Sequence, residues 1–279
     1  MMRGKIIRQF LIDGTPEGRW CSELSNWTGM AYKIPRTYVN RCEDRADLYN
    51  TGVYFLFGQS EDEDQPQAYI GEAENILDRL KQHLAGKDFW TESVVFISKD
   101  NNLNKAHVKY LEHHLYLLAQ KARRCTLTNG NVPPASSISE MDRVAMEEFL
   151  DNLRLVLGVL GHKILEPLVE QQAEKEEAYF SLRTLAAQAQ GIPTSDGFVV
   201  RKGSRINPYP AESLPDSAAN KRRLLLEKGI VDESFTFTQD WLFSSPSQAA
   251  GVVTGYSING RTGWKDEKGR SLKDREEGL

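Results

Sequence analysis

Apolar and polar positions change their period several times along the 279-residue chain, and each change marks an element. Val53-Tyr54-Phe55-Leu56-Phe57 is a β-branched and aromatic run, which predicts a buried strand. Ala68-Tyr69-Ile70-Gly71 predicts its partner, across a polar loop that contains Pro66. The period then lengthens, and Ile76, Leu77, Leu80 and Leu84 share one face of a helix over 76–84. Residues 93–98 predict a third strand. Residues 104–121 predict a long helix, with Val108, Leu111, Leu115 and Leu118 on its apolar stripe.

The flanks are less regular. Residues 1–50 predict a short strand over 6–12, a Gly-Thr-Pro turn and a loop around Asn26-Trp27-Thr28-Gly29. Pro133-Pro134 breaks the chain, and Ser137-Ile138-Ser139-Glu140 then reads as a capping box that satisfies the first free amides of a helix. Met141, Val144, Ala145, Phe149, Leu153, Val156, Leu157 and Leu160 form the apolar side of that helix, and packing against a neighbouring domain is its plainest use. Residues 166–177 are acidic and predict a solvated linker or helix. Further on come strands over 180–182 and 198–200 around an Asp196-Gly197 turn, and a helix over 221–228 that stops at Gly229. Ser244, Ser245 and Pro246 can start one more helix, which Gly255 can end.

These elements predict an α+β chain in four stretches. Residues 1–49 are an N-terminal extension, 50–131 a small three-stranded antiparallel sheet flanked by helices, 132–180 a helical connector, and 181–279 a small α+β C-terminal domain.

Composition narrows the setting. Hydrophobic content of 40% and charged content of 27% describe a soluble globular protein. No apolar run is long enough to span a bilayer, and the basic N-terminal residues lack the apolar core of a signal peptide. Cys21, Cys42 and Cys125 are odd in number and far apart, which suits a reducing cytoplasm better than a disulfide framework or a zinc cluster. The net charge of −4 argues mildly against a whole-surface nucleic-acid binder. Its distribution matters more: Lys+Arg minus Asp+Glu is +2 over 1–50, −2 over 51–131, −6 over 132–180 and +2 over 181–279. With acidity concentrated in the middle and in Glu61-Asp62-Glu63-Asp64, a local basic groove is still allowed.

The residues able to do chemistry fall between 52 and 131. Strand alternation puts Tyr54 and Leu56 on one face and Val53, Phe55 and Phe57 on the other, so Tyr54 and Tyr69 can converge. Gly71 removes a side chain close to a helix start, where a phosphate or sugar could approach the backbone. Arg79 and His83 are four apart and share a helical strip. A guanidinium suits phosphate oxygens, and an imidazole can donate, shuttle a proton or polarise a phenol. Glu112 borders its helix's apolar stripe, and one carboxylate with water can hold Mg²⁺. Taken singly, each has a blander use: a strand tyrosine packs in a core, and an Arg/His pair or a helix glutamate is solvated.

Together, Gly52-Val53-Tyr54, Tyr69-Ile70-Gly71, Arg79, His83 and Glu112 resemble the GIY-YIG nucleases, with Val in place of the usual Ile. The resemblance covers roughly residues 50–130. It implies that Tyr54 and Tyr69 are the motif tyrosines, Arg79 the helix arginine, His83 the His-or-Tyr position and Glu112 the ligand of Mg²⁺ or Mn²⁺. Asn129 is the candidate for the family's later asparagine. The implied reaction is one-metal hydrolysis of DNA. A motif tyrosine would deprotonate water, with its pKa, ordinarily near ~10, lowered by Arg79, His83 and the metal.

The C-terminal stretch, in Phe243-Ser244-Ser245-Pro246-Ser247-Gln248-Ala249-Ala250 and Asn259-Gly260-Arg261-Thr262-Gly263-Trp264-Lys265, resembles a small domain of unknown function appended to GIY-YIG proteins. It is also similar to a domain found beside restriction-modification adenine methylases. Arg201, Lys202, Arg205, Lys221, Arg222, Arg223, Arg261, Lys265 and Lys268 could give it a phosphate-binding face, with Trp264 as a stacking or packing surface. The resulting expectation is a DNA endonuclease in restriction, defence or repair, with a homodimer as one route to double-strand cleavage. Two rivals stand beside it: a silent protein that reads modified or damaged DNA, and a purely structural interaction protein.

Overall fold

The computed structural model describes residues 4–59, 66–169 and 179–278, and the chain divides into two compact units, Met1–Pro167 and Leu168–Leu279. The Glu61-Asp62-Glu63-Asp64 loop and residues 170–177 of the acidic stretch lie outside the described residues.

In the first unit the elements run β1 (Ile7–Leu11), β2 (Trp20–Leu24), β3 (Gly29–Pro35), β4 (Gly52–Gln59), β5 (Pro66–Ala73), α1 (Ile76–Gly86), β6 (Trp90–Ser98), α2 (Lys105–Ala122), β7 (Thr126–Leu127) and α3 (Glu140–Val159). The strands form one sheet in the order β1-β2-β3-β6-β4-β5-β7. Every pairing is antiparallel except that of β5 with β7. The α+β class holds, but the sheet has seven strands rather than three. Residues 1–49 are no appendage to it, because β3 pairs with β6 from Gly29↔Ser98 to Pro35↔Glu92.

Alternation along β4 builds two cores on the two faces of this sheet. Val53, Phe55 and Phe57 pack with Ile70 and Phe96 under the apolar stripes of α2 and α3. Tyr54 and Leu56 pack on the opposite face with Ile76, Leu77 and Leu80 of α1. Every residue from Gly52 to Gly58 is buried, as a central strand requires.

The helix α3 belongs to the first core and not to a separate connector. Its Phe149 meets the Trp27 ring at 4.9 Å, and Met146, Leu150, Leu153, Val156 and Leu157 are buried with it. The expected capping box does not form. Ser139 is the N-cap instead, its hydroxyl accepting from the Asp142 amide at 3.1 Å. The helix starts later, and Met141, Val144 and Ala145, though inside it, are exposed, because its buried face runs through Met146, Phe149, Leu150 and Leu153.

A buried arginine ties the N-terminal strands to the 3-10 segment Arg36–Asp44. Arg19 Nε and Nη2 engage the two oxygens of Asp13 at 3.1 and 2.9 Å, while Nη1 reaches Asp44 at 2.7 Å and the Arg41 carbonyl at 2.8 Å. A fork with that many partners is over-determined, so the turn carrying Asp13 is held to its neighbours.

The second unit is β8 (Phe180–Arg183), β9 (Gln188–Thr194), β10 (Gly197–Val200), α4 (Asp216–Glu227), β11 (Trp241–Phe243), α5 (Pro246–Thr254), α6 (Gly260–Gly263) and α7 (Leu272–Glu276), with sheet order β11-β10-β9-β8. Ser245 caps α5, Pro246 takes its first turn, and Gly255 ends it at φ +77°, a conformation open to glycine. Trp264 is fully buried against Phe198, with its indole N–H donated to the Pro246 carbonyl at 3.0 Å. It is a core residue and not a stacking platform. Among the described residues no helix is long and apolar enough to cross a membrane, and the three cysteines are free.

The Arg19 contacts hold the Asp13 carboxyl at about 2, below its ordinary 3.8. A lowered carboxylate stabilises the folded chain above its unfolded value, and that contribution fades as pH falls from about 4 toward 2. Urea midpoints measured at about pH 5 and pH 2.5 should therefore drop for the wild type, with a smaller drop for Arg19→Met.

Candidate active site

Tyr54, Tyr69, Arg79 and His83 meet on the α1 face of the sheet. The register Tyr54↔Gly71 and Leu56↔Tyr69 makes the two phenols diagonal neighbours, with ring centroids 6.2 Å apart and planes 29° from parallel. Gly71 makes this arrangement fit. A Cβ added there would lie 2.4 Å from both Cζ and the hydroxyl oxygen of Tyr54. The space that a side chain at Gly71 would fill is thus taken by the Tyr54 ring.

The helix α1 brings the nitrogen groups. Asn75 caps it by accepting from the Asp78 amide, which fixes the start and sets Arg79 and His83 one turn apart. Tyr54 Oη lies 2.7 Å from His83 Nε2, and Arg79 Nε donates to the same oxygen at 3.3 Å. The His83 ring stands 5.4 Å from each phenol ring.

Burial decides the protonation of this group. It is the largest influence on Tyr54 and pushes the phenol above its ordinary value, Tyr69 adds to the rise, and Arg79 only opposes it. Burial likewise takes His83 down to about 4, helped by the charges of Arg79 and Lys87. The imidazole is therefore neutral at neutral pH and supplies none of the positive potential expected of it. The 2.7 Å contact joins the Tyr54 hydroxyl to a neutral imidazole, and the ring tautomer sets which of the two donates.

Glu112 approaches from α2, whose Val108, Leu111 and Leu115 face the sheet. It is half-buried, and its charge bears on both Tyr54 and Arg79. Burial and then Glu72 raise its carboxyl to about 7, against the pull of Lys105, Arg79 and Lys109. Glu112 is thus a half-buried oxygen donor, and the Glu72 carboxylate that acts on it is itself paired with Lys105 at 3.0 Å. Among the described residues no three His, Cys, Asp or Glu side chains gather where they could hold a metal ion.

Two further charges belong here. Glu72 alternates with Ala68 and Ile70 toward α2, where Lys105 Nζ meets it at 3.0 Å; its place directly after Gly71 was the available signal. Lys87 lies eight residues beyond Arg79 on the same helical strip and holds its Nζ 4.2 Å above the Tyr69 ring.

Asn129 is engaged with the backbone of β5, and Lys265 belongs to the second unit. The Asn129 side chain acts as a strand partner, its Oδ1 accepting from the Ile70 amide at 3.1 Å and its Nδ2 donating to the Ile70 carbonyl at 2.7 Å. Lys265 is exposed in the second unit, where its backbone pairs with Ser181. Part of that unit's basic set is spent internally: Arg201 on Asp240, Arg261 on Glu276, and buried Arg222 on the carbonyls of Val252 and Asn207. The first unit also has clefts of about 550 Å³ by Trp27 and about 400 Å³ by His162, but neither is lined by a candidate residue. The chemistry of the phenol cluster, not cavity size, marks the candidate site.

Residues 179–276 match the family model described as a domain of unknown function (DUF4357), which spans nearly all of the second unit. No GIY-YIG model matches the first unit. No curated protein and no solved structure matches the chain.

Two outcomes follow from the packing. Gly71→Ala should cost about 1–3 kcal/mol in chemical denaturation, because the buried Tyr54 ring has to move. In an NMR titration the His83 ring signals should hold steady from about pH 9 to 5 and shift only near 4.

Proposed function

We propose that the first unit is a metal-dependent endonuclease that hydrolyses phosphodiester bonds of DNA. The observation that carries this reading is the Tyr54 hydroxyl, met by His83 Nε2 at 2.7 Å and by Arg79 Nε at 3.3 Å, with the charge of Glu112 within its reach. The likeness of Gly52-Val53-Tyr54 and Tyr69-Ile70-Gly71 to the GIY-YIG motif supports it.

In this reading Tyr54 is the general base. Its oxygen takes a proton from the attacking water while its own proton passes to His83 Nε2, and the hydroxide forms a bond to phosphorus as the 3′ oxygen departs. Arg79 steadies the phenol oxygen and the phosphate charge. The low basicity of His83 works against the relay, and an adjacent phosphate anion offsets this by favouring imidazolium. Mg²⁺ or Mn²⁺ on Glu112 would supply Lewis-acid stabilisation of the charge on the departing oxygen. The second unit would be an accessory DNA-recognition domain, and a homodimer would bring two such sites to one duplex. Restriction, defence or repair is the biological setting we attach to it, by analogy.

One observation favours a second reading. Tyr54 and His83 are both displaced away from the range of useful acid–base chemistry, as befits a silent protein that binds modified or damaged DNA.

Plasmid nicking with added Mg²⁺ separates the two. Glu112→Gln should lower the nicking rate by roughly a hundredfold or more while leaving DNA affinity largely intact. A wild type that binds DNA and nicks none with either metal would leave the silent reading in place.

A further inference from the structure

We infer that Lys87 binds a non-scissile phosphate of the nucleic-acid backbone, beside the bond presented to Tyr54. This rests on the reading of the first unit as acting on nucleic acid.

Arg79, His83 and Lys87 follow one another at four-residue steps, so they form a single strip along α1 and its end. Lys87 is the C-cap of α1, in extended backbone, and its ammonium stands over Tyr69 while Arg79 holds the Tyr54 hydroxyl, so the two cations address different parts of the cluster. Its backbone is fixed: the amide donates to the His83 carbonyl at 3.1 Å, and its carbonyl accepts from Arg36 Nη1. Arg36 Nη2 also takes the Leu84 carbonyl, at 2.9 Å. A lysine at a helix C-terminus ordinarily serves the last carbonyls, but here Arg36 already does so.

The ammonium goes elsewhere. It lies 4.2 Å from the centroid of the Tyr69 ring, and among the described residues it has no carboxylate partner. Asp88, the next residue, turns to Arg36 at 3.6 Å. Lys33, Lys81 and Lys105 of the same unit each end on a carboxylate. A half-buried cation resting on an aromatic face keeps donors to spare, and a phosphate oxygen is a much stronger acceptor than the ring. In the proposed reading Arg79 serves the Tyr54 hydroxyl and the scissile phosphate, so a neighbouring phosphate calls for a second cation.

The test is fluorescence anisotropy of a labelled duplex oligonucleotide with Mg²⁺, over about 50 to 200 mM KCl, in full-length Glu112→Gln protein. Adding Lys87→Gln should weaken binding several-fold at low salt and make the plot of log affinity against log salt shallower by about 1. Lys87→Arg should keep both, and reports on charge if Lys87→Gln lowers the melting temperature. An unchanged salt slope would overturn the inference, leaving Lys87 as packing for Tyr69, while wild-type nicking preserves the nuclease reading. If the wild type neither binds nor cuts DNA, both readings fail together.

Discussion

A phenol pressed against a glycine sets the geometry of the candidate site. The Tyr54 ring fills the volume that a side chain at Gly71 would occupy, so the cross-strand pair fixes the ring as firmly as the strand itself. Because β4 is hydrogen-bonded on both sides, by β5 and β6, the ring cannot relax by shifting its backbone. Its hydroxyl is thereby carried to α1, where His83 and Arg79 reach it. Glycine at this position is required for what it makes room for inside the protein.

The same close packing governs the electrostatics. A buried phenol resists ionisation, a buried imidazole resists protonation, and a single guanidinium does not reverse either tendency. The group as it stands is one fixed cation attached to a neutral hydrogen-bonded pair. Such an arrangement favours an anion at its rim, because an added negative charge stabilises both Arg79 and a protonated His83. Glu112 works in the opposite direction: its charge and that of Glu72 disfavour an anion unless a cation intervenes. Substrate phosphate and divalent cation would accordingly favour one another at this place.

The central hairpin, α1 and α2 are legible in the sequence, since their periods are clean and their apolar faces unbroken. The convergence of Tyr54, Tyr69, Arg79 and His83 follows from those periods and from the motif spacing. What escapes the sequence is pairing at a distance. In β3, Met30-Ala31-Tyr32-Lys33-Ile34 carries a lysine and ends at Pro35, and its strand character is imposed by β2 and β6 on its two sides. Asn129 looks like a polar ligand until its amide is seen to substitute for a backbone rung beside Ile70. Ser137 and Ser139 present equally good caps, and only packing from Met146 onward selects the second. Lys87 and Glu72 stand at spacings that the sequence displays, but their partners, a ring face and a lysine from another helix, are set by tertiary structure.

The pairing of β3 with β6 has a practical side. A polypeptide trimmed to the stretch 50–131 would strip β6 of one neighbour and lose Trp27, which packs on Phe96, together with Phe149 and its helix. The bared rungs beside Val94 and Phe96 would offer a template for another copy to add on, the usual start of insoluble aggregates. The stretch that carries the motif and the foldable unit are thus of different lengths in this chain. The shortest piece with a closed interior begins with the first strand and runs past the helix ending at Val159 to Leu165, because Leu160, Ile164 and Leu165 are buried in the first core.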